Sequence, residues 1–257
     1  MSIQAYNIKA IVSGGVYEFY RYEDTMFRGY TAKRGGRTTD TYQDEDGNPM
    51  VLDIETGELI PKQLNSRARS NIRARNNLRR LALANFNNRS KFLTLTFKEN
   101  MDDLEEANKM FKAFMRKMRK EQADLKYIAV IEFQERGAIH YHLLCNLKYM
   151  RVEKIRKHWR DIVGEGNIDL QRIDHVDNIG AYVIKYMTKE DADPRLQGKK
   201  MYQTSQKLDK PTELIGAQAQ YLYERMLAEK RKKVYSSSYE NKQTTNHVFY
   251  EEYNIKR

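Results

Sequence analysis

Two histidines one residue apart, His140-Tyr141-His142, follow Glu132 by eight residues in this chain. Alternate side chains of a β-strand share a face, so the two imidazoles point one way and Tyr141 the other. The run Tyr127 to Asn146 reads as two apolar strands around a short turn. Gly137 suits the left-handed third position of a three-residue loop, Glu135-Arg136-Gly137. That loop sets Gln134 opposite Ala138 and Glu132 opposite His140. Two imidazoles and a carboxylate then stand together as ligands for a divalent cation. The reverse face, Ile131, Phe133, Ile139, Tyr141 and Leu143, is an apolar stripe suited to a core. A two-residue loop would shift the pairing by one and turn Glu132 away.

A second group of reactive side chains lies in Ile179 to Glu190. Tyr182 and Tyr186 are one helical turn apart, as are Lys185 and Lys189, so each pair shares a helix face. A phenol titrates near pH ~10, and neighbouring ammonium groups favour the nucleophilic phenolate. An amphipathic helix with packed tyrosines and solvated lysines fits the same pattern.

The elements that position these residues follow from periodicity. Phe92-Leu-Thr-Leu-Thr-Phe97 alternates as a strand, with Thr94 and Thr96 on one face. Asp102 or Asp103 caps a helix running to about Ala123, with Leu104, Met110, Phe111, Phe114 and Met118 inward. After the histidine hairpin come a helix over 151–163, ended by Gly164, and a strand over Ile168–Ile173. Asn178 to Glu190 is then a helix. The order is that of a split βαβ (ferredoxin- or RRM-like) unit, an α+β fold whose antiparallel sheet carries helices on one face. Residues 91–190 form this core. Residues 1–60 read as a β-rich region with strands such as Val16–Tyr20 and Met50–Ile54, and residues 61–90 as a basic helical extension. A last helix is expected over Thr212–Val234, then a tail with a strand near His247–Tyr250, within a C-terminal region of 191–257.

Charge narrows the function. The chain of 257 residues carries a formal net charge of +11 and a pI near 9.4, which points to a polyanionic partner. Between Leu59 and Lys98 there are ten Lys and Arg and no acidic residue. A helix from Asn65 or Ser66 to about Asn85 would turn Leu64, Ala68, Ile72, Leu78, Ala82 and Phe86 inward and gather Arg69, Arg73 and Arg80 for phosphate contacts. One cysteine, Cys145, excludes an internal disulfide framework. No stretch resembles a signal peptide or a membrane span, and no Gly-rich loop ending in Gly-Lys-Ser/Thr is present. A cytoplasmic protein without its own ATP motor is expected.

The ordered set Phe92–Phe97, His140-Tyr-His142 and Tyr182-Val-Ile-Lys-Tyr-Met-Thr-Lys189 resembles the three motifs of the HUH endonucleases, the rolling-circle replication initiators. The doubled tyrosine is similar to the phage gene A-type branch. The resemblance covers roughly Lys91 to Glu190. It implies a single-stranded DNA nickase and ligase in a bacterial host cell, acting on origin DNA with a hairpin alongside host helicase and polymerase. His140 and His142 match its metal-binding pair. Glu132 stands where several members place a carboxylate, with Glu135 or a glutamine as alternatives. Tyr182 and Tyr186 match its nucleophiles, used together or singly, and Lys185 or Lys189 would steady the phosphate. Mg²⁺ or Mn²⁺ is the implied cofactor, Thr94, Thr96 and the arginines the DNA contacts. Competing readings are a non-haem iron oxygenase, which shares the ligand set, a non-catalytic nucleic-acid-binding domain, and an HUH transposase or relaxase.

Overall fold

Strand β6 (Lys91–Phe97) sends Leu93, Leu95 and Phe97 into one core and Phe92 into another, as its alternation requires. The computed structural model describes residues 3–29, 42–43, 49–52, 59–61, 65–134, 137–176, 178–185, 199–200, 202–240 and 245–256, with the backbone alone from 42 to 70. From β6 the chain runs through α2 (Leu104–Glu121), β7 (Tyr127–Phe133), β8 (Ile139–Cys145), α3 (Val152–Val163) and β9 (Gly166–Arg172), the predicted split βαβ order. The strands pair antiparallel in the order β7-β8-β6-β9, and β10 (Tyr202–Thr204) adds a strand beside β7.

Helix α2 starts where Asp103 accepts hydrogen bonds from the backbone N–H groups of Glu105, at 2.8 Å, and Glu106, at 3.2 Å. It buries Leu104, Ala107, Phe111, Phe114, Met115 and Met118 against the sheet. Phe111 stacks on Tyr141 of β8 at 4.5 Å. From α3, the fully buried Trp159 packs edge-on to Phe97 and Phe114 and donates its Nε1–H to the Thr96 carbonyl at 2.9 Å. Truncating such a ring costs about 3–5 kcal/mol.

The α+β class stands, but the expected one-sided cover is corrected. Phe92, Ile128, Val130 and Leu144 make one end of the opposite face apolar, and that end has to be buried too. Helix α1 (Asn65–Asn85) covers it with Leu78, Ala82 and Phe86, and α4 (Ile179–Ile184) with Ile179 and Val183. Gly180 lets α4 rest directly on α1: a Cβ there would lie 2.8 Å from Arg79 Cγ and 3.1 Å from the Arg79 carbonyl oxygen. Of the apolar row expected on α1, Ile72 is exposed instead, while Leu64 and the side chain of Ala68 lie outside the described residues.

A second five-stranded antiparallel sheet joins distant parts of the chain. Its order is β11 (Thr212–Ile215), β1 (Gln4–Ser13), β2 (Val16–Arg28), β13 (His247–Asn254), β12 (Lys233–Glu240). One face packs on α5 (Ala217–Ala228) through Phe19, Tyr253, Ala219 and Met226. The single helix expected over Thr212–Val234 is therefore corrected: Thr212–Ile215 is claimed by pairing with β1, and the helix ends at Ala228 before β12 begins. Short strands β3 (Tyr42–Gln43), β4 (Pro49–Leu52) and β5 (Leu59–Pro61) form a third sheet. Among the described residues no helix is long and apolar enough to cross a membrane.

Candidate metal centre

The hairpin of β7 and β8 has the three-residue loop. The Gln134 N–H donates to the Ala138 carbonyl at 2.9 Å, and Glu132 pairs with His140 across the strands. Gly137 takes φ of 88°, a conformation that any other residue adopts only with strain. This register brings one ligand atom each from Glu132, His140 and His142 to within 4.8 Å of one another, a cluster that could hold a metal ion. Among the described residues it is the one group of three or more such side chains.

The cluster is ordered by its neighbours. His142 is 7% exposed, and its Nε2 lies 2.6 Å from Glu132 Oε2. Its Nδ1 lies 3.1 Å from the Thr94 hydroxyl, contributed by β6 directly across from it. That bond holds the ring with Nε2 turned to the cluster, the arrangement found around metal-binding imidazoles. His140 is the more open imidazole, with Gln134 Nε2 3.3 Å from its Nδ1. The donors are two borderline nitrogens and one hard oxygen, a set that suits a first-row divalent cation.

Phe92 connects this cluster to α4. Its ring stacks against His142 at 5.8 Å and meets Tyr182 edge-on at 4.9 Å. Tyr182 thus lies over the sheet face that carries the cluster. Asn178 caps α4 by accepting from the Ala181 N–H at 3.0 Å, and Lys185 sets its Nζ 4.0 Å from the centre of the Tyr182 ring. Tyr186 and Lys189 lie outside the described residues. Beside β7, a cleft of about 900 Å³ is lined by Lys112, Lys199 and Lys200 with the amides of Asn71, Asn108 and Gln203. Sequence reasoning missed both Phe92 and these lysines. The parity of β6, which puts residue 92 with Thr94, was the signal available for the first; the lysines meet only through the fold.

The expected DNA contacts fare unevenly. Arg80 is corrected. Its guanidinium donates through Nε to Glu18 Oε2 at 2.7 Å and through Nη2 to the Tyr20 hydroxyl at 2.6 Å, and its side chain is 15% exposed. The pair to Glu18 raises its already high pKa, against the opposing effect of burial. Thr94 is also corrected, from a DNA contact to a partner of His142. Thr96 bonds the Asn167 carbonyl at 3.2 Å. Arg73 is exposed on α1, and the side chain of Arg69 lies outside the described residues. His158 contacts Glu121 at 3.1 Å, and His175 is exposed, both away from the cluster's ligand set.

Residues 90–191 match a family of replication-associated proteins, the ORF2 type. The matched segment contains the cluster, Thr94 and the whole of α4, and the match is consistent with a replication initiator. No curated protein matches the chain. A crystal structure of the hypothetical protein ORF119 from Sulfolobus islandicus rod-shaped virus 1 aligns with 48% of this chain and 94% of its own, at 19% identity and a TM-score of 0.33.

Proposed function

We propose that this protein initiates replication by nicking and rejoining single-stranded DNA, with a tyrosine of the α4 segment as nucleophile. The observation that carries the reading is the convergence of Glu132, His140 and His142 on the face over which Tyr182 is held. The match to a replication-associated family supports the same reading.

The residues divide the work. Glu132, His140 and His142 would hold Mg²⁺ or Mn²⁺, with Mn²⁺ favoured by the two nitrogen donors. When bound, the cation supplies Lewis acidity toward the scissile phosphate. Thr94 keeps the His142 ring turned toward the cluster. The Tyr182 hydroxyl attacks phosphorus, its proton is lost to solvent, and the bond from phosphorus to the 3′-oxygen breaks. That oxygen takes up a proton and leaves as a free 3′-hydroxyl, while the 5′-phosphate remains on tyrosine. One phosphodiester bond is exchanged for another, so the strand can be rejoined without ATP. Lys185 brings a positive charge to the phenol and to the phosphate it attacks. Tyr186, one turn further on, would serve as second nucleophile. The lysine-lined cleft beside β7 gives the DNA backbone a cationic path past the site.

The test is covalent capture. Protein, Mn²⁺ and origin-bearing single-stranded DNA should give a denaturant-resistant adduct. His140→Ala should abolish it, and so should Tyr182→Phe combined with Tyr186→Phe. An adduct formed by the double tyrosine variant overturns the nucleophile assignment. A wild-type protein that binds the DNA but never captures it overturns the activity.

A further inference from the structure

Strand β12 is an edge strand in which almost every residue is exposed, and it displays aromatic rings where edges normally display charge. Tyr235 is 58% exposed and Tyr239 is 47% exposed. Their pairing with Glu252 and Val248 puts both on the face of the second sheet that also carries Tyr20 and Tyr250. The rings form a series: Tyr235 lies 5.9 Å from Tyr250, and Tyr250 lies 5.0 Å from Tyr20.

The strand is entered through Lys230-Arg231-Lys232-Lys233. Arg231 is paired with Glu229 at 2.9 Å and Lys233 with Glu251 at 3.2 Å, whereas Lys230 and Lys232 make no ion pair among the described residues. Charged residues at a sheet edge ordinarily guard against pairing with another chain. That accounts for the lysines and leaves two half-open tyrosines unexplained. Flat rings beside uncommitted ammonium groups are the pattern that binds single strands, by stacking on bases and neutralising phosphates.

We infer that the β12 face is a second docking surface, separate from the metal centre, for single-stranded nucleic acid. Bases stack on Tyr235 and Tyr239 while Lys230 and Lys232 contact the backbone. The surface is continuous with the half of the molecule that bears the cluster. Tyr20, the inner ring of the series, is bonded by Arg80 of α1, whose other side buries Leu78 and Ala82 against the first sheet. The choice of DNA as the strand rests on the nicking reading. The stacking surface itself does not.

The experiment measures anisotropy of a fluorescein-labelled oligothymidylate of about 20 nucleotides in EDTA, where no metal chemistry contributes. Tyr235→Ala with Tyr239→Ala should weaken binding by about 30-fold or more, taking the low end of base–aromatic stacking for two rings. Tyr235→Phe with Tyr239→Phe should bind within about threefold of wild type, since stacking needs the ring and not the hydroxyl. Lys230→Ala with Lys232→Ala should lower the slope of log affinity against log salt by about 1.4. Wild-type affinity in the alanine pair overturns the proposal. It is also overturned if that pair changes the sedimentation of the free protein and not its affinity for the strand, which would make the edge a contact between copies. Because capture of DNA at the metal centre is scored separately, failure of either reading leaves the other standing.

Discussion

Replacing Thr94 by valine tests the proposed architecture of the metal centre at one atom. Valine keeps the β-branched shape that suits strand β6 and removes only the hydroxyl that lies 3.1 Å from His142 Nδ1. With His142 at 7% exposure, water has little room to take over that bond. The ring can then rotate about its last torsion, and Nε2 no longer points consistently at the cluster. Loss of an orienting partner of a metal-bound imidazole costs about 10–100-fold in affinity, or about 1.4–2.7 kcal/mol. Titration with Mn²⁺, followed by the electron paramagnetic resonance signal of the unbound ion, should show that weakening for Thr94→Val. Thr94→Ser, which restores the hydroxyl, should bind close to wild type. A thermal melt checks that both variants fold. If folded Thr94→Val binds Mn²⁺ as tightly as wild type, the hydroxyl does not orient the ring, and the proposed second role of β6 fails.

Further expectations concern the frame around the site. Arg80→Met leaves Glu18, 3% exposed, with Arg79 at 3.5 Å as its remaining cation among the described residues. Breaking a buried pair from one side costs about 3–5 kcal/mol, and Arg79 should hold the loss near the lower figure in urea unfolding. Arg73→Ala, on the exposed side of α1, should change stability by less than about 0.5 kcal/mol in the same assay. Gly137→Ala forces a Cβ into φ of 88° and should cost about 1–2 kcal/mol. If the hairpin relieves the strain by slipping one residue, Mn²⁺ binding should vanish with it, because Glu132 then changes face. Burial pushes the Cys145 thiol up to about 11. Since thiolate forms only as pH approaches that value, a disulfide reagent at pH ~8 should meet an inert native protein and a single reactive thiol after denaturation.

The hairpin was legible because its information is local. Gly137 fixes the loop, the loop fixes the register, and the register fixes which face Glu132 shares. The α+β class and the order of strands and helices from Lys91 to Arg172 were legible through periodicity and caps, with Asp103 at α2 a direct instance. Three features were not. The pairing of β2 with β13 joins residues such as Arg21 and Glu251, 230 positions apart, and no local pattern encodes the partner of an edge. Arg80 looked like its neighbours in a run of basic residues until Glu18 and Tyr20 came from the other sheet to meet it. Thr94 read as an exposed hydroxyl because its bond to His142 depends on β6 lying beside β8, a matter of sheet order.

The placement of the two halves of the second sheet has a consequence for biosynthesis. Every strand of the first sheet lies between Lys91 and Thr204, so that unit can close while the ribosome is still translating. Strands β1 and β2, made first, must wait for β13, made almost last. A polypeptide still being synthesised would therefore acquire its cation-binding hairpin before its tyrosine-bearing edge. Ribosome-bound chains arrested at successive lengths should gain the two capacities in that sequence.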